Sequence, residues 1–188
     1  MQPFPTSKFF AAAVIVVFLL YGIEWLTEKP VATQRAPAVY SEDAKAHAQT
    51  LTTLNMQQLD AVLGKGGPSM LYVFASWCPY CRQQTPILEG FLSERSPDMT
   101  VLAISIDQDA VALADYLLGQ PTLSFHPQLL GDQAVALRDR LAKAGAQYTG
   151  SIPYTAFFNS DGKMVAQVTG LVNNASLNEA YAQLKAKK

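Results

Sequence analysis

The chain has 188 residues, 49% hydrophobic and 15% charged, a composition that supports a buried core and excludes wholesale disorder. Its formal net charge of −1 comes without a basic stripe or an acidic block, which excludes nucleic acid or a polyanion as the partner. The length suits one ordinary domain plus a targeting or linker segment.

Residues 1–8 precede an uncharged run from Phe9 to Ile23, which reaches Leu26 if Glu24 lies at the boundary. A helix over 9–26 spans about 27 Å, close to the hydrocarbon thickness of a bilayer. A cleaved signal peptide is the alternative, but its apolar region is usually shorter and closely followed by small residues. Here Glu24, Trp25, Leu26, Thr27, Glu28 and Lys29 follow, and the nearest Ala-x-Ala pattern, Ala36-Pro37-Ala38, is distant. The expectation is an uncleaved transmembrane anchor over 9–26, with Tyr21 and Trp25 at the membrane interface. Lys8 before the run and Glu24 and Glu28 after it put residues 1–8 in the cytoplasm and the rest outside. In a bacterium that is a single-pass inner-membrane protein whose domain faces the periplasm. Residues 27–50 are rich in Pro, Ala and charge and read as a linker, with a helix as one option for the second half.

The globular pattern occupies 51–188. Asn55-Met56-Gln57-Gln58 has the form of a capping box opening a helix over 56–63, which the Gly66-Gly67-Pro68 turn follows. Residues 70–75 (MLYVFA) and 100–106 (TVLAISI) are short continuous apolar runs, as expected of strands buried on both faces. Between them a helix is predicted from Pro79 to about Glu94, kinked at Pro86. Helices are predicted over 110–118 and 133–144. Strands over 154–158 and 164–169 flank Asn159-Ser160-Asp161-Gly162, a hairpin signal, and an amphipathic helix over 177–187 closes the chain. This order predicts an α/β fold, a mixed sheet flanked by helices. Phe157 and Phe158 are read as strand core.

The two cysteines, Cys78 and Cys81, stand two residues apart. A pair this close cannot staple distant parts of a fold, and closing so small a loop adds little chain-entropy stabilisation. The pair falls where a buried strand ends and a helix begins, with Cys78 at the N-cap, Pro79 at N1, Tyr80 at N2 and Cys81 at N3. The N–H groups of Tyr80 and Cys81 can then point at the Cys78 sulfur, and with the helix dipole they favour its thiolate, below the free value of about 8.5. Cys78 is accordingly the expected exposed nucleophile and Cys81 the resolving thiol. Half of a zinc site is one alternative, but His47 and His126 are far apart in sequence and no second cysteine pair exists. A buried inert pair is another. The expected cofactor and metal content is none.

The segment Val73-Phe74-Ala75-Ser76-Trp77-Cys78-Pro79-Tyr80-Cys81, the later Ser151-Ile152-Pro153-Tyr154-Thr155 and the hairpin ending at Gly170 resemble the thioredoxin superfamily. Within it the chain resembles the membrane-anchored TlpA/ResA/DsbE-like thiol:disulfide oxidoreductases, which carry an added segment before the second motif; residues 110–150 have room for it. Pro86 matches a proline in that family's active-site helix. The resemblance implies a thioredoxin-like domain and a cis Pro153 beside the reactive pair, against the alternative of a trans proline that merely starts a strand. It also implies substrate contacts at Trp77, Pro79, Tyr80, Ile152 and Pro153. The implied partners are protein thiols and disulfides together with a membrane redox partner.

Two departures stand out. Thioredoxins place an acid six residues before the first cysteine, where this chain has Tyr72. ResA-type relatives often place Glu three residues after the second, where it has Gln84. Water or a more distant group, with Glu89 and Asp107 as candidates, is left to accept the Cys81 proton, or the step is slower. The glutathione signature of glutaredoxins is absent at Gly170-Leu171-Val172-Asn173, so glutathione binding is not carried over. Ile152 resembles the reducing members, while a Pro-first dipeptide also occurs in oxidants and isomerases. Reductant is the favoured direction. An oxidase or isomerase, or a non-catalytic binding or chaperone module, is the alternative.

Overall fold

The computed structural model describes residues 38–64, 67–95, 98–121 and 123–186. The expected anchor over 9–26, the segment 1–8 and most of the linker lie outside the described residues. Among the described residues no helix is long and apolar enough to cross a membrane. A compact unit begins at Tyr40.

The elements follow in the order α1 (Glu42–Ala48), α2 (Met56–Gly64), β1 (Ser69–Phe74), α3 (Pro79–Arg95), β2 (Thr100–Ser105), α4 (Ala110–Leu118), β3 (Gln128–Leu129), α5 (Ala134–Lys143), β4 (Tyr154–Phe158), β5 (Met164–Thr169) and α6 (Asn174–Ala186). Five strands form one mixed sheet in the order β3-β2-β1-β4-β5. β1 pairs parallel with β2 and antiparallel with β4, placing Val73 opposite both Ile104 and Tyr154.

β1 is central, and every one of its residues is buried. Its alternating side chains supply two cores. Met70, Tyr72 and Phe74 face a cluster with Leu88 and Phe91 of α3, Tyr116 of α4 and Leu177 of α6. Leu71 and Val73 face Leu59 and Leu63 of α2 and Leu137 and Leu141 of α5. Phe157 and Phe158 divide between the same two clusters, as successive residues of a strand must. A strand covered on both faces has no polar positions to spare, which is why its sequence reads as a continuous apolar run.

Local chemistry sets the element ends. The Asn55 side chain accepts the Gln57 N–H at 2.8 Å, opening α2. Gln58 does not complete the expected capping box; its Oε1 accepts instead from Gln128 Nε2 at 3.2 Å. In the β4–β5 hairpin, Asn159 Oδ1 accepts from the N–H groups of Asp161 and Lys163, and Gly162 takes a φ of 73°, the left-handed region open to glycine. β3 is an edge element not anticipated from sequence. It is two residues long and is held by β2 on one side and by the Thr52–Leu54 segment on the other. α1 packs on α4 with Ala44 fully buried.

Candidate active site

β1 ends at Phe74, and a turn through Ser76 and Trp77 leads into α3, with the Cys78 N–H closing on the Ala75 carbonyl at 3.2 Å. α3 begins at Pro79, so Cys78 occupies the N-cap, and its carbonyl accepts the Arg82 N–H at 3.0 Å. The Cys81 N–H donates to Cys78 Sγ at 3.2 Å, the bond that an N-cap side chain makes to N3. Both thiols are free.

One expectation needs correcting. Cys78 is not an exposed residue but only 5% exposed, while Trp77 and Tyr80 beside it stand out at 63% and 61%. Capping turns the Cys78 side chain back over the first turn of α3, toward the Cys81 N–H and away from solvent. Cys81 is fully buried. Burial, followed by the hydrogen bond to Cys78, pushes its thiol up to about 12. It therefore holds its proton at neutral pH.

Ile152–Pro153 is a cis peptide, and Pro153 is buried with Ile152 half-buried before it. Because β4 runs antiparallel to β1 with Tyr154 opposite Val73, the start of β4 lies at the same end of the sheet as the turn that carries the cysteines. The Pro153 carbonyl accepts the Gly170 N–H at 2.7 Å, bringing in the loop after β5. Leu171 in that loop is 46% exposed.

The two positions where an acid was missing have other work. Tyr72 is fully buried and its hydroxyl donates to the Cys81 carbonyl at 3.4 Å; burial raises its pKa. Gln84 is fully buried, and its amide donates to the Val172 carbonyl at 3.1 Å and accepts the Val172 N–H at 2.6 Å. It fastens the β5–α6 loop to α3. Thr85 and Tyr116 were not singled out from sequence. The Thr85 hydroxyl donates to the Cys81 carbonyl at 3.1 Å and accepts from Tyr116 Oη at 2.8 Å.

Of the remaining acids, Glu89 accepts from the N–H and hydroxyl of Ser124 and joins α3 to the loop before β3. Asp107 is different. It is buried at the end of β2 and accepts three hydrogen bonds, two of them from Ser76 in the active-site turn. A groove of ≈ 700 Å³ borders it, lined also by Ile106, Gln108, Arg138, Tyr148 and Gly150. His47 and His126 line a separate pocket. Among the described residues no three His, Cys, Asp or Glu side chains converge as a metal site would require.

The sequence profile described as the thioredoxin-like domain matches residues 56–185, and the chain belongs to that family. It is 31% identical over 141 residues to the protein named "Probable nucleoredoxin 1" from Arabidopsis thaliana, covering 67% of this chain but only 23% of that protein. To a thioredoxin of Alicyclobacillus acidocaldarius it is 32% identical over 75 residues, 39% of this chain and 69% of the relative. Among solved structures, the fold is similar to a thioredoxin-related protein from Neisseria meningitidis serogroup B, with a TM-score of 0.56, 20% identity, and coverage of 72% of this chain and 93% of that one. It is also similar to a thiol:disulfide interchange protein of the thioredoxin family from Chlorobium tepidum, with a TM-score of 0.53, 20% identity, and coverage of 68% and 83%.

Proposed function

We propose that this protein is a thiol–disulfide oxidoreductase that acts on protein substrates through Cys78 and Cys81, in the reducing direction, from a domain tethered outside the cytoplasm. One observation carries the chemistry: Cys78 Sγ accepts the helical N–H of Cys81 at 3.2 Å, while the Cys81 thiol beside it is held protonated. One sulfur is thus prepared for attack and the other kept in reserve.

The Cys78 thiolate attacks one sulfur of a substrate disulfide. That S–S bond breaks, a mixed disulfide forms, and the substrate's other sulfur leaves as a thiolate that takes up a proton. Cys81 then gives up its proton and attacks Cys78 Sγ, releasing the second substrate thiol. The protein is left with a Cys78–Cys81 disulfide, and the substrate has gained two electrons and two protons. Return to the dithiol requires an electron donor, which for a tethered domain is a membrane redox protein. Trp77, Tyr80 and Leu171 give the substrate an exposed apolar rim, and the backbone before Pro153 offers strand-like pairing to an extended peptide.

The TlpA/ResA/DsbE-like character of the motifs, with Ile152 before the cis proline, supports the reducing direction. It also supports substrates of the kind those proteins serve, apocytochrome c or a copper-site thiol pair. The apolar run over 9–26 supports the tether. A relative in Mycobacterium tuberculosis, 24% identical over 106 residues, is named a soluble secreted antigen, which supports a site outside the cytoplasm.

The test is a Cys81→Ala variant of the full chain expressed in cells. It should accumulate as a mixed disulfide with its substrate, and Cys78→Ser should accumulate none and lose all disulfide reduction. Unchanged cellular function in Cys78→Ser would point to a binding or chaperone module. A reduction potential near about −120 mV would point to an oxidase.

A further inference from the structure

The exchange steps above make no use of Asp107, yet this buried carboxylate is tied to the turn that carries the dithiol. Its oxygens accept the Ser76 N–H at 2.8 Å, the Ser76 hydroxyl at 2.6 Å and the Ser105 hydroxyl at 2.5 Å. Ser76 precedes Cys78 by two residues. The offset between strands is fixed as well, because the Ile106 N–H donates to the Phe74 carbonyl at 2.9 Å. All three donors to Asp107 are neutral, so none cancels its charge. Arg82 is the cation nearest in the turn. Its Nη1 reaches the Ser76 carbonyl at 3.3 Å, and its guanidinium lies over the Tyr116 ring at 5.1 Å. Arg82 is exposed, and no ion pair joins it to Asp107 among the described residues. Asp107 also acts on Cys81 of α3, Tyr116 of α4 and Tyr40 ahead of α1, and the charged groups Asp132 and Arg138 line the same groove.

We propose that Asp107 is a fixed negative charge that biases the Cys78–Cys81 pair toward its disulfide, making the protein a stronger reductant. It is a positioning residue for the direction of exchange and takes no proton or electron itself. The inference rests on the exchange reading and supplies it with a physical basis for direction. The couple is protein disulfide plus two glutathione thiols, in equilibrium with protein dithiol plus glutathione disulfide. The disulfide is neutral, whereas the reduced pair carries negative charge whenever Cys78 is a thiolate. A like charge nearby raises the energy of the reduced side alone. The same field contributes to the raised Cys81 thiol, behind burial and the bond to Cys78. Three donors occupy three of the roughly four acceptor sites of the Asp107 carboxylate, and the proposal draws only on its charge.

The test is equilibration of the full chain in glutathione buffers. Asp107→Asn keeps the shape and one acceptor oxygen but removes the charge. It should raise the equilibrium constant for protein reduction three- to tenfold, an upward shift of about 15 to 30 mV. Ser76→Ala removes a hydroxyl donor but leaves the charge, and should stay within twofold of the parent. Gln108→Lys adds a cation at an exposed residue lining the same groove, and should raise the constant about twofold even if Asp107→Asn fails to fold. The proposal is overturned if the folded Asp107→Asn and Gln108→Lys proteins keep the parental constant. It is equally overturned if Ser76→Ala shifts the constant as far as Asp107→Asn, since Asp107 would then act by shaping the turn. A parent protein that reaches no equilibrium with glutathione overturns the exchange reading and this one with it.

Discussion

Two buried polar side chains hold the segments around the dithiol, and they are bonded in different ways. Gln84, one turn beyond Cys81 on α3, is neutral, and both ends of its amide are used on the backbone of Val172. Asp107, at the end of β2, is a carboxylate whose partners are Ser76 and Ser105. Gln84 holds a loop in place without adding charge. Asp107 holds a turn in place and adds one. On the proposal above, the site thus divides the mechanical role and the electrostatic one between two residues.

That division can be tested by removing each function alone. Gln84→Ala leaves the buried N–H and carbonyl of Val172 unpaired and opens a cavity. It should cost about 3 kcal/mol of stability, read from the midpoint of urea unfolding. Gln84→Glu is a sharper probe. A carboxylate cannot donate to the Val172 carbonyl, so burial and that lost bond favour the protonated acid and raise its folded pKa above the unfolded value of about 4.3. Below that value both states are protonated and the variant lies close to the parent. As pH rises through it, the unfolded chain ionises first and stability falls by about 1.4 kcal/mol per pH unit until the folded acid also ionises. Unfolding at pH 4 and pH 7 should show the larger deficit at pH 7; an equal deficit would mean that Val172 does not need a donor at this position. The smallest effect belongs to Tyr116→Phe, which removes one donor to the Thr85 hydroxyl. A loss of about 1 kcal/mol in unfolding, with no change in the glutathione equilibrium, would keep the redox influence with Asp107.

The parts of the fold legible in the sequence are those whose signals are local. β1 and β2 announce themselves as apolar runs, Asn159 to Gly162 specifies its own hairpin turn, and Cys78-Pro79 marks the start of α3. β3 carries no such signal, because two residues cannot show a period and its pairing comes from β2 and the Thr52–Leu54 segment. The site divides along the same line. The cysteines and the cis proline were readable from short motifs. The partners of Gln84 and Asp107 were not, because a polar residue in a helix or at a strand end looks solvent-facing until its distant acceptor or donor is known. The burial of Cys78 was missed for a related reason: the cap that defines its position also turns its side chain inward.

The bond from Gln84 to Val172 spans 88 positions of the chain. A ribosome delivers both cysteines, and the α3 residue that will hold the loop, long before it delivers the loop itself. Until Val172 emerges, Gln84 has no partner and the rim at Leu171 does not exist. A chain truncated after β5 would still carry its two thiols, but without the loop that borders the mature site and without Leu177, Ala180 and Leu184 of α6, which share their cluster. Completion of the rim begun by Trp77 and Tyr80 therefore waits on the residues after β5, roughly the last tenth of the sequence.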